Sequence, residues 1–228
     1  MIIFNIWNHF LNYVYPPKCI FCDFILEEET AIEICPACYV KINFLQDEDA
    51  LPIKNFYPSQ FCDGVFCLFD YQGFIREAII KYKFFQKESF YKVFGILLAQ
   101  RLRKYYEWGG FDAILAVPLH KNRLKERGYN QSLLIVHEIS KELKVRDISN
   151  NLIRTIDTKQ QSLLDGKSRK ENIKNSINFI ENEKIPLKNI LIIDDILTTG
   201  STLEECAKVL KEAGAKTVLA AVLASGRK

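Results

Sequence analysis

Two adjacent carboxylates and a run of hydroxyl side chains stand close together in the last quarter of the chain. Asp194 and Asp195 follow the apolar residues Ile190–Ile193, and a loop from Thr198 to Thr202 comes next. Burying an unpaired carboxylate is costly, so we expect the two acids to face water, a ligand or a metal. Gly200 lets the loop turn tightly, and the hydroxyls around it can donate hydrogen bonds to anion oxygens.

The elements around these residues can be predicted from hydrophobic spacing. Ile190–Ile193 indicates a strand buried on both faces of a parallel sheet. Apolar residues then recur at helical spacing, at Leu203, Cys206, Ala207 and Leu210, and Gly214 is a plausible end of that helix. The hydroxyl loop therefore lies at a helix N-terminus, where free N–H groups and the helix dipole favour a phosphate. The pattern predicts a sugar-phosphate site, with the phosphate in the loop and the sugar hydroxyls on the acids.

Other phosphate-binding motifs do not occur in the sequence. It contains neither the Gly-Lys-Ser/Thr of a P-loop nor the G-x-G-x-x-G of a dinucleotide site. The remaining alternative is an ordinary strand–loop–helix unit whose acids and hydroxyls are only hydrated. The joint occurrence of acids and hydroxyls at the C-terminal end of a predicted parallel strand favours a ligand.

A second predicted strand, Ala113–Val117, is followed by a basic segment. Pro118 ends the strand, and residues 119–131 are predicted to form a loop that carries Lys121, Arg123, Lys125 and Arg127. If both strands are parallel in one sheet, this loop and the acids face the same crevice. Any one of the four cations can equally be a hydrated surface residue. We expect His120 to position the loop rather than to act as a base.

Two C-x-x-C pairs near the N-terminus have the spacing of a structural zinc site. They are separated by twelve residues, and the expected ligands are Cys19, Cys22, Cys35 and Cys38. Four thiolates close a tetrahedral site and leave no position for a substrate. The segment is too small to bury its own core, so the metal would supply folding energy. A redox dithiol and two unrelated pairs remain the alternatives.

Composition limits the class of protein. The chain has 228 residues, 48% hydrophobic and 26% charged, which suits one globular domain with a small appendage. A net charge of +3 is too balanced to indicate nucleic-acid binding by itself. No apolar run approaches the length of a membrane span, and the N-terminus lacks the features of a signal peptide. We therefore expect a cytoplasmic protein.

The order of segments predicts two domains, an N-terminal helix with a zinc finger at 1–50 and a larger domain at 61–228. Residues 2–14 are predicted to form a helix packed on the rest of the protein, since they offer no Lys or Arg to a membrane surface. Residues 45–60 are a predicted linker. Helices are expected from Tyr71 and from Ser89, and a last strand at 216–223. Cys67 is expected in the core, and the role of Cys62 stays open.

Residues 157–178 form a long polar segment that contains several lysines and arginines. Such a segment inside a compact domain is usually functional or mobile. We interpret it as a hood that folds over a bound ligand and excludes water.

The stretch Asn189–Thr202 resembles the signature of type I phosphoribosyltransferases, which bind phosphoribosyl pyrophosphate. In that family the two acids hold the ribose 2′ and 3′ hydroxyls, and the loop holds the 5′-phosphate. The resemblance implies that Asp194 and Asp195 are also the candidate catalytic residues. It assigns the ribose phosphate to Asp194, Asp195, Leu197, Thr198, Thr199, Gly200, Ser201 and Thr202. The implied pyrophosphate site is Pro118, Leu119, His120, Lys121, Arg123 and Arg127, and the implied hood contacts are Gln161, Ser162 and Arg169.

Several further segments are similar to the ComF family of competence-associated proteins. They are the paired C-x-x-C motifs after Pro16-Pro17, the segment from Tyr71 to Lys83, Val117–His120 with Arg127–Gln131, and Gln161–Arg169. The family implies a type I phosphoribosyltransferase-like α/β fold, an open and mostly parallel sheet with flanking helices, and an N-terminal zinc finger. Gly-Tyr-Asn-Gln replaces the common Gly-Phe-Asn-Gln, and longer members carry more cysteine pairs, which puts a second metal site in doubt.

The resemblance supports three functional hypotheses. In the first, the protein binds phosphoribosyl pyrophosphate with Mg²⁺ and handles incoming single-stranded DNA, without sequence specificity, during natural transformation. Partners would then include DNA-uptake or recombination proteins. In the second, it is an active transferase that moves ribose 5-phosphate to an unknown nitrogen acceptor and releases pyrophosphate. In the third, the site is unused and the protein is a zinc-stabilised interaction module.

Overall fold

A computed structural model describes residues 15–28, 30–45, 59–84, 89–107, 110–157, 173–180 and 188–226. The strands are β1 (Gly64–Asp70), β2 (Ala113–Ala116), β3 (Arg146–Asp147), β4 (Leu152–Arg154), β5 (Ile177–Phe179), β6 (Asn189–Leu197) and β7 (Thr217–Ser225). The helices are α1 (Pro36–Tyr39), α2 (Gly73–Phe84), α3 (Ser89–Glu107), α4 (Lys121–Arg127), α5 (Gln131–Leu143) and α6 (Ser201–Glu212).

Five strands form one sheet in the order β1-β7-β6-β2-β3, and every neighbouring pair is parallel. Strands β2 and β6 are direct neighbours, with Ala116 opposite Ile193. Because parallel neighbours end at the same edge of a sheet, the segments after β2 and β6 lie at one edge. The predicted α/β class and the mostly parallel sheet are confirmed.

Both faces of the sheet are covered. Leu191 and Ile193 of β6 pack in a core with α2, α3 and α5, whereas Ile190 and Ile192 pack on the opposite face. The second core is closed by α6 and by the antiparallel pair β4–β5. This alternation explains why the strand reads as a continuous apolar run in the sequence.

The cysteine-rich segment packs directly on the first core. The Phe21 ring meets Phe74 of α2 edge-on at 5.0 Å between centroids, and Phe44 meets Phe69 of β1 at 5.6 Å. Cys19 is buried in the same core, together with Phe69 of β1. Residues 2–14 and most of the predicted linker lie outside the described residues, so the division into two domains stays a prediction. Within the described ranges, no helix has the length and apolar character that a membrane crossing requires.

Two sequence-based expectations about the site are wrong. Residues 119–131 are not a continuous basic loop, because α4 forms a seven-residue helix between His120 and Gly128. The His120 ring accepts a hydrogen bond from the Asn122 N–H, and Gly128 ends the helix at φ 80°. Strand β6 also continues to Leu197, so the acid pair lies within the paired strand rather than beyond it.

Candidate functional site

The acid pair is held by protein partners at the carboxyl edge of the sheet. Asp195 Oδ2 lies 2.8 Å from Nζ of Lys83, and the two side chains are only 13% and 16% exposed. Asp194 Oδ1 accepts a hydrogen bond from the Ser132 hydroxyl at 3.2 Å and another from the Asp195 N–H at 2.9 Å. Both acids are half-buried, which a carboxylate tolerates once it is paired and hydrogen-bonded.

The two carboxyl groups differ in their electrostatic environment. Burial of its carboxyl group and the neighbouring charge of Asp195 raise the pKa of Asp194 to about 7. The Asp195 N–H, the Lys83 ammonium and the Ser132 hydroxyl oppose that rise. Near neutral pH the carboxyl group of Asp194 is therefore partly protonated, whereas Asp195 pairs with the Lys83 ammonium.

The hydroxyl loop forms a cup at the start of α6. Gly200 has φ 79° and occupies the N-cap position, a left-handed conformation that favours glycine. The hydroxyls of Thr199 and Ser201 lie 2.9 Å apart, and the Ser201 N–H donates to Thr199 Oγ1 at 3.3 Å. A small cavity here is lined by Asp194, Ile196, Leu197, Thr198, Gly200, Ser201, Thr202 and Leu203. The structure thus brings one predicted acid and the predicted phosphate loop to the same cavity.

The cations of α4 divide between two faces of the helix. Arg123 and Arg127, four residues apart, are half-buried, whereas Lys121 and Lys125 are exposed. Burial and the charge of Arg127 lower the pKa of the Arg123 guanidinium. The pKa of the buried Arg154 on β4 is likewise lowered, first by burial and then by the charge of Arg123. Arg123 therefore lies within electrostatic range of both Arg127 and Arg154, with Asp157 and Glu126 as nearby anions. The guanidinium groups outnumber these two carboxylates, which suits an anionic ligand.

His120 fits the predicted positioning role at the start of α4. It is 6% exposed, and its Nδ1 lies 3.4 Å from Asp157 Oδ1. Asn122 also donates to the Asp157 carboxylate, so the beginning of α4 is tied to the residue that precedes the undescribed part of the hood. Pro118 and Leu119 connect β2 to this capped helix.

Sequence motifs did not predict Lys83 and Ser132 as site residues. Lys83 is the last residue of the segment Tyr71–Lys83, which resembles the ComF family, but no spacing in the sequence connects it to Asp195. Ser132 follows the Asn130 N-cap of α5, and it reaches Asp194 only because α5 packs against β6. Lys83 and Asp195 lie 112 positions apart in the chain, and Ser132 and Asp194 lie 62 positions apart. Short-range sequence patterns do not detect contacts over such separations.

The four predicted ligand cysteines form one cluster. The sulfur atoms of Cys19, Cys22, Cys35 and Cys38 all lie within 4.8 Å of one another, and no disulfide joins any of the seven cysteines, all of which lie within the described residues. Four sulfurs around a tetrahedral zinc at about 2.3 Å would be about 3.8 Å apart, so the cluster fits this metal. Burial raises the pKa of Cys19, but the N–H groups of Cys35, Cys22 and Phe21 outweigh it and lower the value to about 7. The pKa values of Cys22 and Cys38 are raised, in Cys38 mainly by burial, so a bound cation would be needed to hold all four sulfurs as thiolates.

The other cysteines lie apart from this cluster. Cys67 is fully buried, as predicted, and Cys62 donates from its thiol to the Gly64 carbonyl at 3.3 Å. Both belong to the core on the face of the sheet that α6 covers. Neither therefore extends the four-cysteine group.

The predicted hood contacts Gln161, Ser162 and Arg169 lie outside the described residues. Its two ends are joined by the antiparallel pair β4–β5, in which Ile153 lies opposite Asn178. Arg154 on β4 is one of the guanidinium groups near the acid pair. The base of the hood is therefore fixed beside the candidate site, and its ligand contacts stay a prediction.

Sequence comparisons agree with this geometry. A family model described as "Phosphoribosyl transferase domain" matches residues 129–228. Competence protein F of Haemophilus influenzae is 34% identical over 108 residues, 47% of each chain. DNA utilization protein YhgH of Escherichia coli K12 is 37% identical over 109 residues, 47% of this chain and 46% of that one. Competence protein ComFC of Streptococcus pneumoniae is 30% identical over 152 residues, 66% of this chain and 63% of that one.

The matches thus span about half the length of the Haemophilus and Escherichia relatives. Among solved structures, a purine phosphoribosyltransferase from Pyrococcus horikoshii is 21% identical with a TM-score of 0.33, covering 71% of this chain and 77% of that chain. The matched residues 129–228 contain the acid pair and the hydroxyl loop. Strands β1 and β2 of the parallel sheet and the cysteine cluster lie before the matched residues in the chain. The chain is therefore similar to competence proteins of the ComF type, and residues 129–228 match the phosphoribosyl transferase domain.

Proposed function

We propose that this protein binds phosphoribosyl pyrophosphate with Mg²⁺ and acts in natural transformation. The observation that carries the proposal is the shared edge of β2 and β6. Asp194 and the hydroxyl loop line one cavity there, and the helix that bears Arg123 and Arg127 follows the neighbouring strand. A ligand with a phosphate, a diol and a pyrophosphate has a complementary group at each of these places.

The ribose phosphate end is expected to bind β6 and α6. The carboxyl groups of Asp194 and Asp195 accept hydrogen bonds from the ribose 2′ and 3′ hydroxyls. The 5′-phosphate occupies the loop from Thr198 to Thr202, where hydroxyls and the N-terminal N–H groups of α6 can donate to its oxygens. The buried position of Ser201, 4% exposed, keeps this end of the helix fixed for the ligand.

The pyrophosphate end is expected to bind the segment after β2. Arg123 is close to the positive charges of Arg127 and Arg154, so a bound pyrophosphate would relieve the repulsion that Arg123 shares with each of them. Mg²⁺ would arrive with the ligand, because it keeps most of its coordination on phosphates and water and needs few protein oxygens.

The cysteine cluster is proposed to hold a structural zinc ion. Its residues Cys19 and Cys35 are buried, and the ring of Phe21 between two ligands packs on Phe74 of α2. Zinc would therefore stabilise both the finger and its contact with the domain. All four sulfurs are used as ligands, so the site has no open position for chemistry.

A part in DNA handling is supported by the relatives, two of which are named competence proteins and one a DNA utilization protein. We propose single-stranded DNA in the cytoplasm as the partner and the exposed Lys121 and Lys125 as contacts to its phosphates. These contacts would make affinity fall steeply with salt and would not depend on sequence. The double substitution Lys121→Gln and Lys125→Gln should reduce the dependence of DNA affinity on salt concentration. An unchanged dependence would mean that DNA binds at another surface.

The ligand is tested by calorimetric titration of phosphoribosyl pyrophosphate, with and without Mg²⁺. We expect Mg²⁺-dependent binding that Asp195→Asn weakens by roughly tenfold or more, because a hydrogen-bonded charge is lost. Asp112→Asn is the matched control. Asp112 accepts a hydrogen bond from the Asn189 N–H at the opposite end of the same strands, so it should leave binding unchanged. No binding by the unaltered protein, or equal losses in both variants, would contradict the proposal.

A further inference from the structure

The ion pair between Lys83 and Asp195 joins the end of α2 to the acid pair. Its atoms lie 2.8 Å apart, and both side chains are largely removed from solvent. An ion pair in such a setting needs good geometry to offset the loss of hydration, and it constrains both partners. Lys83 is therefore placed to set the direction of the Asp195 carboxylate.

The backbone around Lys83 is itself fixed by the segment between α4 and α5. The Tyr129 hydroxyl donates to the Tyr82 carbonyl at 2.5 Å, and the Gln131 side-chain amide donates to the Lys83 carbonyl at 3.4 Å. The hydroxyl of Tyr82, fully buried, donates in return to the Gln131 carbonyl at 2.7 Å. The last carbonyls of a helix lack intrahelical partners, and here the tyrosine and glutamine side chains supply them. Lys83 thus extends from a last turn of α2 that is held in place by these hydrogen bonds.

The same glutamine contacts a cation of α4. The guanidinium of Arg127 donates to Gln131 Oε1 at 3.3 Å. A continuous chain of contacts therefore runs from Arg127 through Gln131 to the backbone of Lys83, and from its ammonium to Asp195. One end of this chain lies at the proposed pyrophosphate site and the other at the proposed ribose site.

We propose that Lys83 is a positioning residue that orients Asp195 for the ribose diol, and that Gln131 couples this orientation to Arg127 at the pyrophosphate end. The inference rests on the proposed binding of phosphoribosyl pyrophosphate. The ammonium and the sugar need not compete, because a carboxylate offers about four acceptor positions and Lys83 approaches one oxygen. Lys83 also supplies a positive charge to two adjacent carboxyl groups that would otherwise repel each other.

The pH profile of binding separates this role from a merely structural one. Groups on four elements face the acid pair, namely Lys83 and Tyr82 on α2, Ser132 on α5, Arg154 on β4 and Cys206 on α6. Removing the charge of Lys83 alone favours protonation of the pair, so carboxylates that accept from the diol would form only at higher pH. A purely structural role of Lys83 would lower stability without moving that pH limit.

The experiment compares the Mg²⁺-dependent affinity for phosphoribosyl pyrophosphate of Lys83→Met, Lys83→Arg and Lys81→Met between pH 6 and 9. We expect Lys83→Met to weaken binding by roughly 10- to 100-fold at pH 7 and to move the lower pH limit upward. Lys83→Arg should restore most of the affinity. Lys81→Met, two positions away on the same helix, should have no effect, because Lys81 pairs with Asp23 at 3.5 Å in an exposed setting.

Gln131→Met tests the coupling while keeping the ion pair, and it also serves if Lys83→Met does not fold. It should weaken binding, and Arg127→Met should then cost less affinity in the Gln131→Met background than in the unaltered protein. Additive losses would overturn the coupling. Unchanged affinity and pH profile in Lys83→Met would overturn the positioning role. Absence of binding by the unaltered protein would instead refute the proposed function, and this inference with it.

Discussion

The hydroxyl of Ser132 donates a hydrogen bond to Asp194 Oδ1 across 3.2 Å, which ties the first turn of α5 to the acid pair on β6. Asn130 caps this helix by accepting from the Ser132 N–H, and its amide donates to the Val117 carbonyl at 3.0 Å. The junction between α4 and α5 therefore fixes the end of β2 and the neighbouring acid together. The sequence predicted only a loop over residues 119–131 at this position.

The raised pKa of Asp194 predicts how stability depends on pH. The folded protein keeps a proton on Asp194 up to about pH 7, whereas the unfolded chain loses it near the ordinary value of 3.8. Between these values the native state binds more protons, so this group makes stability fall as pH rises. Asp194→Asn removes that effect. The change that this substitution causes in the free energy of unfolding should therefore be more stabilising at pH 8 than at pH 5, by about 1–3 kcal/mol.

Urea denaturation of the two proteins at both pH values measures this difference. Asp195→Asn is the contrasting variant, because it leaves the ammonium of Lys83 largely buried without its anionic partner. It should lower stability at pH 8 by about 1–3 kcal/mol. Effects of the same sign in the two variants would show that the adjacent acids do not occupy the different environments described above.

Glu204 in the first turn of α6 should anchor the segment that leads into β1. Its carboxylate accepts from the Ser59 hydroxyl at 2.5 Å and from the Gln60 and Phe61 N–H groups at 2.7 and 3.1 Å. Glu204→Ala should therefore destabilise the protein by about 1–3 kcal/mol, the cost of leaving several donors without an acceptor. Thermal or urea unfolding measures the loss.

Glu212→Ala on the same helix is the control for Glu204. Its carboxylate is 61% exposed and lies 3.9 Å from Lys208, so the substitution should change stability by less than about 0.5 kcal/mol. Equal effects of the two substitutions would mean that the carboxylate contacts of residues 59–61 contribute nothing specific.

Removal of metal from the cysteine cluster should destabilise more than the finger. Because Phe21 and Cys19 pack on the core formed with α2, loss of zinc is expected to expose apolar surface on the domain as well. Cys35→Ser should abolish stoichiometric zinc and lower the melting temperature, as measured by elemental analysis and calorimetry. Cys62→Ser should retain zinc, since Cys62 lies outside the cluster. Full zinc content in Cys35→Ser would contradict four-thiolate binding.

Local sequence patterns were sufficient for the parts of the site that lie within one strand or loop. The apolar run Ile190–Ile193 predicted a two-sided strand, and the hydroxyl loop with Gly200 predicted the start of α6. The cysteine spacing likewise predicted one cluster. Each of these features depends on residues close together in the chain, where strand alternation, helix capping and metal geometry apply directly.

The short helix α4 and the contacts between distant residues were not predicted. The helix α4 has no apolar face, because Leu124 is its only large apolar residue, and its ends are set by the His120 cap and the left-handed Gly128. The ion pair of Lys83 with Asp195 joins two elements that meet only through the packing of α2 on the sheet. Hydrophobic periodicity carries no information on which polar side chains such packing brings together.

The most direct test of the central claim is a structure of the zinc-loaded protein with phosphoribosyl pyrophosphate and Mg²⁺. We expect the 5′-phosphate in the loop Thr198–Thr202, the ribose hydroxyls on Asp194 and Asp195, and the pyrophosphate toward Arg123 and Arg127. The ligand in this orientation would establish the site as proposed. A ligand bound elsewhere, or none at concentrations that saturate other phosphoribosyltransferases, would contradict it and would mean that the fold serves a different purpose in this chain.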